Sequence, residues 1–197
     1  TSTSMVGLPR ESRISRAWIS IIVLICLVQD SNRSGEGTLG HSERQDSALD
    51  LVKGTTLDVG SGTGIHAKIL QQKGIAVKAI DISHGAIQVS QQRGVINAEV
   101  LNILDETECF DTILLLMNGT GIFQELSQIS TYLSHLKTIL NDGGQILIDS
   151  SDIKYMYQDE DGGFWMDANS SYYGELDYFL SYKGQQEIPM KWLYLDF

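Results

Sequence analysis

Residues Leu57 to Gly64 read Leu-Asp-Val-Gly-Ser-Gly-Thr-Gly, with glycine at every second position from Gly60 onward. The residues before this stretch read as a strand and those after it as a helix. A tight turn from strand into helix needs backbone with positive φ, and a ligand lying against main chain needs residues without a Cβ. The helix turns its free N–H groups and the positive end of its dipole toward the loop, which favours a carboxylate or phosphate there. The dinucleotide fingerprint G-x-G-x-x-G would place its third glycine at position 65, which is Ile65. The spacing is instead G-x-G-x-G, with an acid, Asp58, two residues ahead of it. That acid opposes a pyrophosphate but suits an ammonium, directly or through water. A ligand with both a carboxylate and an ammonium is an amino acid. A second acid, Asp81, stands 21 residues beyond Gly60, where a carboxylate accepts hydrogen bonds from ribose hydroxyls.

These groups need a scaffold, and the chain from Glu43 onward supplies a regular one. Apolar runs of five to eight residues alternate with helical patterns, joined by Gly, Asn or Asp, a rhythm that means βαβ units and a parallel sheet. Strands are expected at Thr55 to Val59, Ile75 to Ile80, Ala98 to Leu101, Asp111 to Met117 and Gln145 to Asp149, with a helix end at Ser47 to Lys53. Helices are expected at Thr63 to Gln72, closed by Gly74, and at Gly85 to Arg93, capped by Ser83 and ended by Gly94. A third, Ser127 to Leu140, is amphipathic, and Asn141 to Gly144 should turn the chain after it. The run Asp111 to Met117 is so continuously apolar that both its faces must be covered. Past Asp149 the rhythm stops. Glu175 to Tyr182 and Lys191 to Asp196 read as two strands joined through Gly184 to Pro189, after an acidic, aromatic loop or lid at Tyr157 to Tyr173.

An amino acid at one end of the ligand and a ribose at the other describe S-adenosylmethionine. The motifs Leu-Asp-Val-Gly-Ser-Gly-Thr-Gly at 57 to 64 and Ala-Ile-Asp-Ile-Ser at 79 to 83 resemble the class I S-adenosylmethionine-dependent methyltransferases of small-molecule type, over about residues 43 to 197. The resemblance implies an α/β fold, a Rossmann-like doubly wound and mostly parallel sheet, to which this chain adds a C-terminal β-hairpin. It implies that Gly60, Ser61, Gly62 and Gly64 pass under the cofactor, that Asp58 orients its methionine part, and that Asp81 binds the ribose. Ile82 then packs on adenine. Asn102, with Ile103 beside it, stands where the family usually has an Asp near the adenine amino group, and Asn can still accept a hydrogen bond. The turn Asn-Asp-Gly-Gly-Gln-Ile-Leu-Ile-Asp at 141 to 149 resembles the family's L-x-P-G-G strand entry, with Asp142 in place of proline. Asn118 to Gly121 match the place where the family positions substrate and the methionine end, although Asn118 could equally cap the following helix.

Other residues read less specifically. His66, His84 and His135 read as helix-surface residues, with His66 alone near enough to approach the cofactor, and no metal ligand set is spaced along the chain. Met117 reads as core. Phe164, Trp165, Tyr172 and Tyr173 fit either a substrate pocket or packing under a loop. Cys26 and Cys109 lie outside any C-x-x-C pattern, which argues against a disulfide scaffold and fits a reducing, cytoplasmic compartment.

The chain has 197 residues and a formal net charge of -11, and residues 151–197 carry nine acidic against three basic side chains. Such a surface repels phosphate backbones and suits a small, neutral or cationic acceptor better than nucleic acid. Residues 1–45 form an atypical segment, 46–150 the cofactor-binding core and 151–197 the substrate side. The apolar run Ala17 to Val28, after Arg10, Arg13 and Arg16, is too short for a bilayer-spanning helix. A secretory signal, a segment foreign to the domain, or a buried strand or helix each fits it; a packed strand or helix is preferred because its residues are β-branched. Compared with the family, which continues past the fifth strand with a helix and two more strands, the chain is expected to be truncated and to leave an exposed sheet edge.

Two functions follow. One is an active methyltransferase working by in-line displacement, in which positioning supplies most of the acceleration and a Tyr or Asp of the 157 to 173 loop serves as base if one is needed. The other is a truncated or non-catalytic S-adenosylmethionine-binding chain. A dinucleotide-dependent oxidoreductase is opposed by Ile65.

Overall fold

A strand that is apolar at successive positions has to be buried on both faces, and the chain satisfies this with helices above and below one sheet. The computed structural model describes residues 22–27, 48–159, 161, 163, 172–186 and 188–196. Among these, β1 (Ile22–Leu27), β2 (Thr56–Val59), β3 (Val77–Asp81), β4 (Ala98–Val100), β5 (Phe110–Leu115) and β6 (Leu140–Ser151) form one sheet in the order β1-β6-β5-β2-β3-β4, parallel throughout. The helices are α1 (Ile65–Gln72), α2 (His84–Gln92) and α3 (Ile129–Thr138). Alternation along the central strands separates the two faces. Ile113 and Leu115 of β5 pack with Ile146 and Ile148 of β6 against Leu133 and Leu136 of α3. Leu114 and Leu147, one residue out of phase, pack instead with Leu70 of α1. This is the doubly wound architecture expected.

Local chemistry sets the helix ends. The Ser83 side chain accepts the Ala86 N–H at 3.3 Å and starts α2. Gly64, at φ 75°, starts α1 without any side-chain cap, so its backbone conformation makes the turn.

Four features depart from the expectations. The sheet edge beside the fifth strand of the regular core is not bare, because β1 pairs with β6 along Ile22↔Ile146 to Leu27↔Ser151. That edge is therefore completed from the apolar run near the front of the sequence, and the strand reading holds for Ile22–Leu27. Residues Asn141 to Gly144 do not leave the sheet in a turn. They form an irregularity inside β6, where the register passes from Phe110↔Leu140 to Thr112↔Gln145. The extra residues let the Asn141 amide donate to Asp111 at 2.9 Å, while Asp111 also accepts the Thr55 N–H at 2.7 Å, tying β5 and β6 to the start of β2. The fourth core strand stops at Leu115, since Met117 and Asn118 both adopt left-handed backbone, at φ 65° and 62°. Finally, the C-terminal strand Glu175 to Tyr182 is broken at Phe179 and Leu180. It becomes β7 (Glu175–Tyr178), antiparallel to β10 (Met190–Leu193), and β8 (Ser181–Tyr182), antiparallel to β9 (Gln185–Gln186). The reversal is a two-residue turn at Lys183 and Gly184, both at positive φ, which matches the twist of paired strands. The expectations for residues 1–21 and 28–47, the basic residues Arg10, Arg13 and Arg16 among them, and those for Phe164 and Trp165, lie outside the described residues.

Candidate functional site

The C-terminal ends of β2, β3 and β5 converge on the glycine loop. Gly60, Gly62 and Gly64 all take positive φ, at 66°, 55° and 75°, so the turn has the backbone that its glycines are there to allow. Each glycine faces a different neighbour. A Cβ on Gly64 would run into the Ser90 hydroxyl and Val95, so this glycine serves helix packing. A Cβ on Gly60 would stand 3.0 Å from Ile122, which sits in the short turn of 3₁₀ helix Gly119–Phe123 after β5. No described protein atom lies within 4 Å of where a Cβ on Gly62 would stand, so this glycine lays bare main chain along open space. Arg93 donates to the Thr63 hydroxyl at 2.8 Å and pins the loop from α2.

Asp58 ends buried, 1% exposed, with Oδ2 accepting the Ala67 N–H at 3.2 Å from the first turn of α1. Burial, with the nearby Asp81 charge, pushes its carboxyl up from 3.8 to about 7, against the pull of the Ala67 N–H. His66, read from the sequence as a helix-surface residue, is buried as well, with Nδ1 4.0 Å from Asp58 Oδ1. Burial holds its imidazole below the ordinary value, so this histidine is a neutral neighbour and not a counter-charge. Asp58 is thus a buried acid with no fixed cation beside it among the described residues, which suits an incoming ammonium.

Asp81 closes β3 and takes the Gly62 N–H on one carboxylate oxygen (2.9 Å) and the Ser83 N–H on the other (2.8 Å). Each oxygen keeps a further lone pair for a ligand hydroxyl. Ile82 follows it, 73% exposed, as an apolar surface beside the loop. Asn102 uses its side-chain oxygen to cap the Leu104 N–H at 3.0 Å. Ile103 is buried in the main core.

Three buried polar atoms at the loop or on segments next to it make no hydrogen bond to any described residue: the Ser61 hydroxyl, the Ser90 hydroxyl behind Gly64, and the Asn118 Oδ1 after β5. Buried polar atoms are nearly always paired; Ser61 lies in the loop that leaves β2, and Asn118 follows the neighbouring strand β5. Asn118 makes no capping bond to the short helix that follows it, which removes the capping alternative. Its left-handed backbone, next to that of Met117, adds local strain of the sort found at ligand sites. Unpaired Ser61 and Asn118 atoms, bare main chain at Gly62 and a buried Asp58 fit a ligand that brings its own hydrogen-bonding groups and a positive charge.

The C-terminal strands pack on the turn after β5. The Thr120 hydroxyl lies 2.8 Å from the Ser150 hydroxyl of β6 and 3.0 Å from the Leu193 carbonyl of β10. The Trp192 ring rests on Gly121. Tyr172 and Tyr173 do not stand as free phenols: Tyr172 donates to Asp196 at 2.6 Å and Tyr173 to Asp152 at 2.9 Å, with the two rings 5.0 Å apart. Burial and these carboxylates raise both phenols far above the ordinary value, which disfavours them as general bases. Among the described residues no group of three or more His, Cys, Asp or Glu side chains could hold a metal ion, and no helix is long and apolar enough to cross a membrane.

Sequence reasoning missed His66 as the buried neighbour of Asp58 and missed Asp149. Asp149 is buried at the end of β6 and accepts the Gly119 N–H at 3.1 Å. A signal existed for it, because Ile-Leu-Ile-Asp at 146 to 149 ends a core strand with an acid just as Lys-Ala-Ile-Asp does at 78 to 81.

A parallel sheet covered by helices on both faces, with a glycine turn leaving its central strand β2, defines a Rossmann-like doubly wound domain. A family model described as "Methyltransferase domain" matches residues 41–180, and the chain belongs to that family. The crystal structure of an S-adenosylmethionine-dependent methyltransferase from Bacteroides fragilis, in complex with S-adenosyl-L-homocysteine, is 45% identical. That likeness has a TM-score of 0.71 and covers 77% of this chain and 62% of that one. The fold is that of the class I S-adenosylmethionine-dependent methyltransferases. A ubiquinone biosynthesis O-methyltransferase from Paramagnetospirillum magneticum is 30% identical over 112 residues, 53% of this chain and 43% of that protein. A malonyl-[acyl-carrier protein] O-methyltransferase from Serratia marcescens is 26% identical over 91 residues, 46% of this chain and 36% of that protein. The chain thus spans less than half the length of either O-methyltransferase it matches.

Proposed function

We propose that the chain binds S-adenosylmethionine at the glycine loop and moves its methyl group to a small-molecule acceptor held on the side of residues 151–197. The observation that carries this reading is the buried Asp58 beneath a loop whose Ser61 hydroxyl, like the Asn118 Oδ1 after β5, has no partner among the described residues. Bound S-adenosylmethionine supplies a sulfonium methyl whose transfer leaves a neutral thioether. The chain's own residues then have mostly to bind and align. Asp58 holds the ammonium, the main chain at Gly60, Gly62 and Gly64 lies against the methionine and ribose part, and Asp81 accepts from ribose hydroxyls with the oxygens it already presents. Ile82 packs on the base, and Asn102 meets its amino group. Positioning of this kind supplies most of the acceleration, and the proton that a phenol or alcohol gives up on methylation passes to solvent water. This fits the way Tyr172 and Tyr173 are held protonated.

The crystallised Bacteroides fragilis relative holds S-adenosylhomocysteine, which supports the cofactor reading. Both other relatives are named as O-methyltransferases, and the acidity of residues 151–197 favours acceptors without negative charge. Phenols and alcohols therefore head the panel. Calorimetric titration with S-adenosylhomocysteine tests the first step, and a folded sample that gives no binding would sink it. Turnover on the acceptor panel tests the second; binding without turnover on any member would favour a non-catalytic cofactor-binding chain.

A further inference from the structure

Asp149 is an acid buried at the end of a core strand, 3% exposed, in a place where an apolar residue would serve packing as well. An ionisable group in such a place has to be matched by specific partners. One partner is the Gly119 N–H, 3.1 Å from Asp149 Oδ1. Gly119 directly follows Met117 and Asn118, the two consecutive residues held in left-handed backbone, a conformation that persists only where its surroundings impose it. The same segment is fixed on the other side by Ile122 against Gly60. Asn118, whose Oδ1 is buried and makes no hydrogen bond to any described residue, immediately precedes the first of these anchors.

We infer that Asp149 is a positioning residue for the cofactor site, holding the Gly119 amide so that the left-handed turn presents Asn118 to the ligand. The inference rests on the cofactor reading above and adds a group that does not itself touch the ligand. A buried acid that merely stabilised the fold would weaken folding without caring whether Asn118 is present. A positioning acid acts through Asn118, so the two replacements should not be independent.

The test is a double-mutant cycle on S-adenosylhomocysteine affinity, with the thermal midpoint of the ligand-free protein measured alongside. Asp149→Ala in the unaltered chain is expected to weaken binding about tenfold, and Asp149→Asn, whose amide oxygen still accepts the N–H, about threefold. In an Asn118→Ala background either change is expected to weaken binding less than about twofold, although the midpoint falls as much as before. If Asp149→Ala does not fold, the Asp149→Asn pair carries the same comparison. Factors that multiply in the double variants, or an affinity untouched by either replacement, overturn the inference while leaving the cofactor reading in place. No binding by the unaltered, folded chain overturns both.

Discussion

The imidazole of His66 lies 4.0 Å from the carboxylate of Asp58, both side chains buried, one on the strand that enters the glycine loop and one on the helix that leaves it. Neither gains a full charge easily there. Burial raises the acid to about 7 and lowers the imidazole, so near neutral pH the pair is poised to take its charge from a ligand.

Cofactor binding should therefore be proton-linked. Asp58 is protonated in the free protein below about 7, and an ammonium needs the carboxylate. Affinity for S-adenosylhomocysteine is expected to level off above that pH and to fall by about tenfold per unit below it, approaching one proton released per ligand bound. Calorimetry in buffers of different ionisation enthalpy reads this directly. The free protein shows the opposite trend. The raised carboxyl contributes stability that is complete below its ordinary 3.8 and is lost as pH rises through about 7. Asp58→Asn should flatten both profiles, and profiles unchanged by that substitution would exclude Asp58 as the titrating group.

The glycines of the loop should separate stability from binding. At Gly64 a Cβ collides with Ser90 and Val95 on top of a left-handed φ, and Gly64→Ala is expected to cost about 2–4 kcal/mol of folding free energy. At Gly62 nothing described stands in the way, so Gly62→Ala is expected to cost only about 1 kcal/mol, from its φ. Its new methyl group would nonetheless project where the ligand approaches, and affinity should drop further than stability does. Denaturant melts set beside calorimetry make the comparison, and equal losses in both would refute it.

A part-buried ion cluster around Lys78 of β3 offers a second handle on stability. The Lys78 Nζ lies 2.9 Å from Glu106, which is 2% exposed, 2.6 Å from Glu108 and 3.3 Å from Glu99. Removing the lysine strands a carboxylate in the core, and Lys78→Met is expected to cost about 3–5 kcal/mol. Adding Glu106→Gln should recover part of that loss. Burial alone would raise Glu106, but the Glu108 N–H and Lys78 outweigh it and hold the group below its ordinary 4.5. Its contribution is accordingly present above that value and disappears as the solution is made more acid. A Lys78→Met protein as stable as the parent at pH 7 would contradict this account.

Close docking of the C-terminal strands requires one small residue at the turn. Trp192 occupies the space over Gly121, so Gly121→Ala should lift the β7–β10 pair from the turn without unfolding the sheet. Hydrogen exchange is expected to quicken at the amides of β7 and β10 and to stay slow in β2 and β5. Uniform acceleration across all four strands would speak against a separately docked unit.

Much of this molecule could be read from residue types. The glycine turn, the Ser83 cap and the doubly covered strand around Ile113 to Leu115 are set by local backbone needs or by an unbroken apolar run, and both leave marks in a single sequence. Burial of a polar side chain leaves at most an indirect mark, such as the acid that ends the apolar run at Asp149, because it depends on what another segment brings to it. His66 looks like any helical histidine until Asp58 is placed beneath it, and Asp149 looks like a strand end until the Gly119 amide arrives. The same holds for the pairing of Ile22 with Ile146, which joins segments far apart along the chain, and for Asn141, which stays in β6 because Asp111 waits for its amide.

The turn from Met117 to Phe123 is touched from three directions: by Gly60 through Ile122, by Asp149 through Gly119, and by β10 through Thr120 and Trp192. A shared wall of this kind gives the two ligand sides of the proposed enzyme a common element through which to couple, and any such coupling is reciprocal. Whatever factor a bound cofactor adds to the grip of the C-terminal strands on an acceptor, the acceptor must return to the cofactor. Order of binding then becomes a property of this one turn, and its stiffness sets how strongly each ligand senses the other.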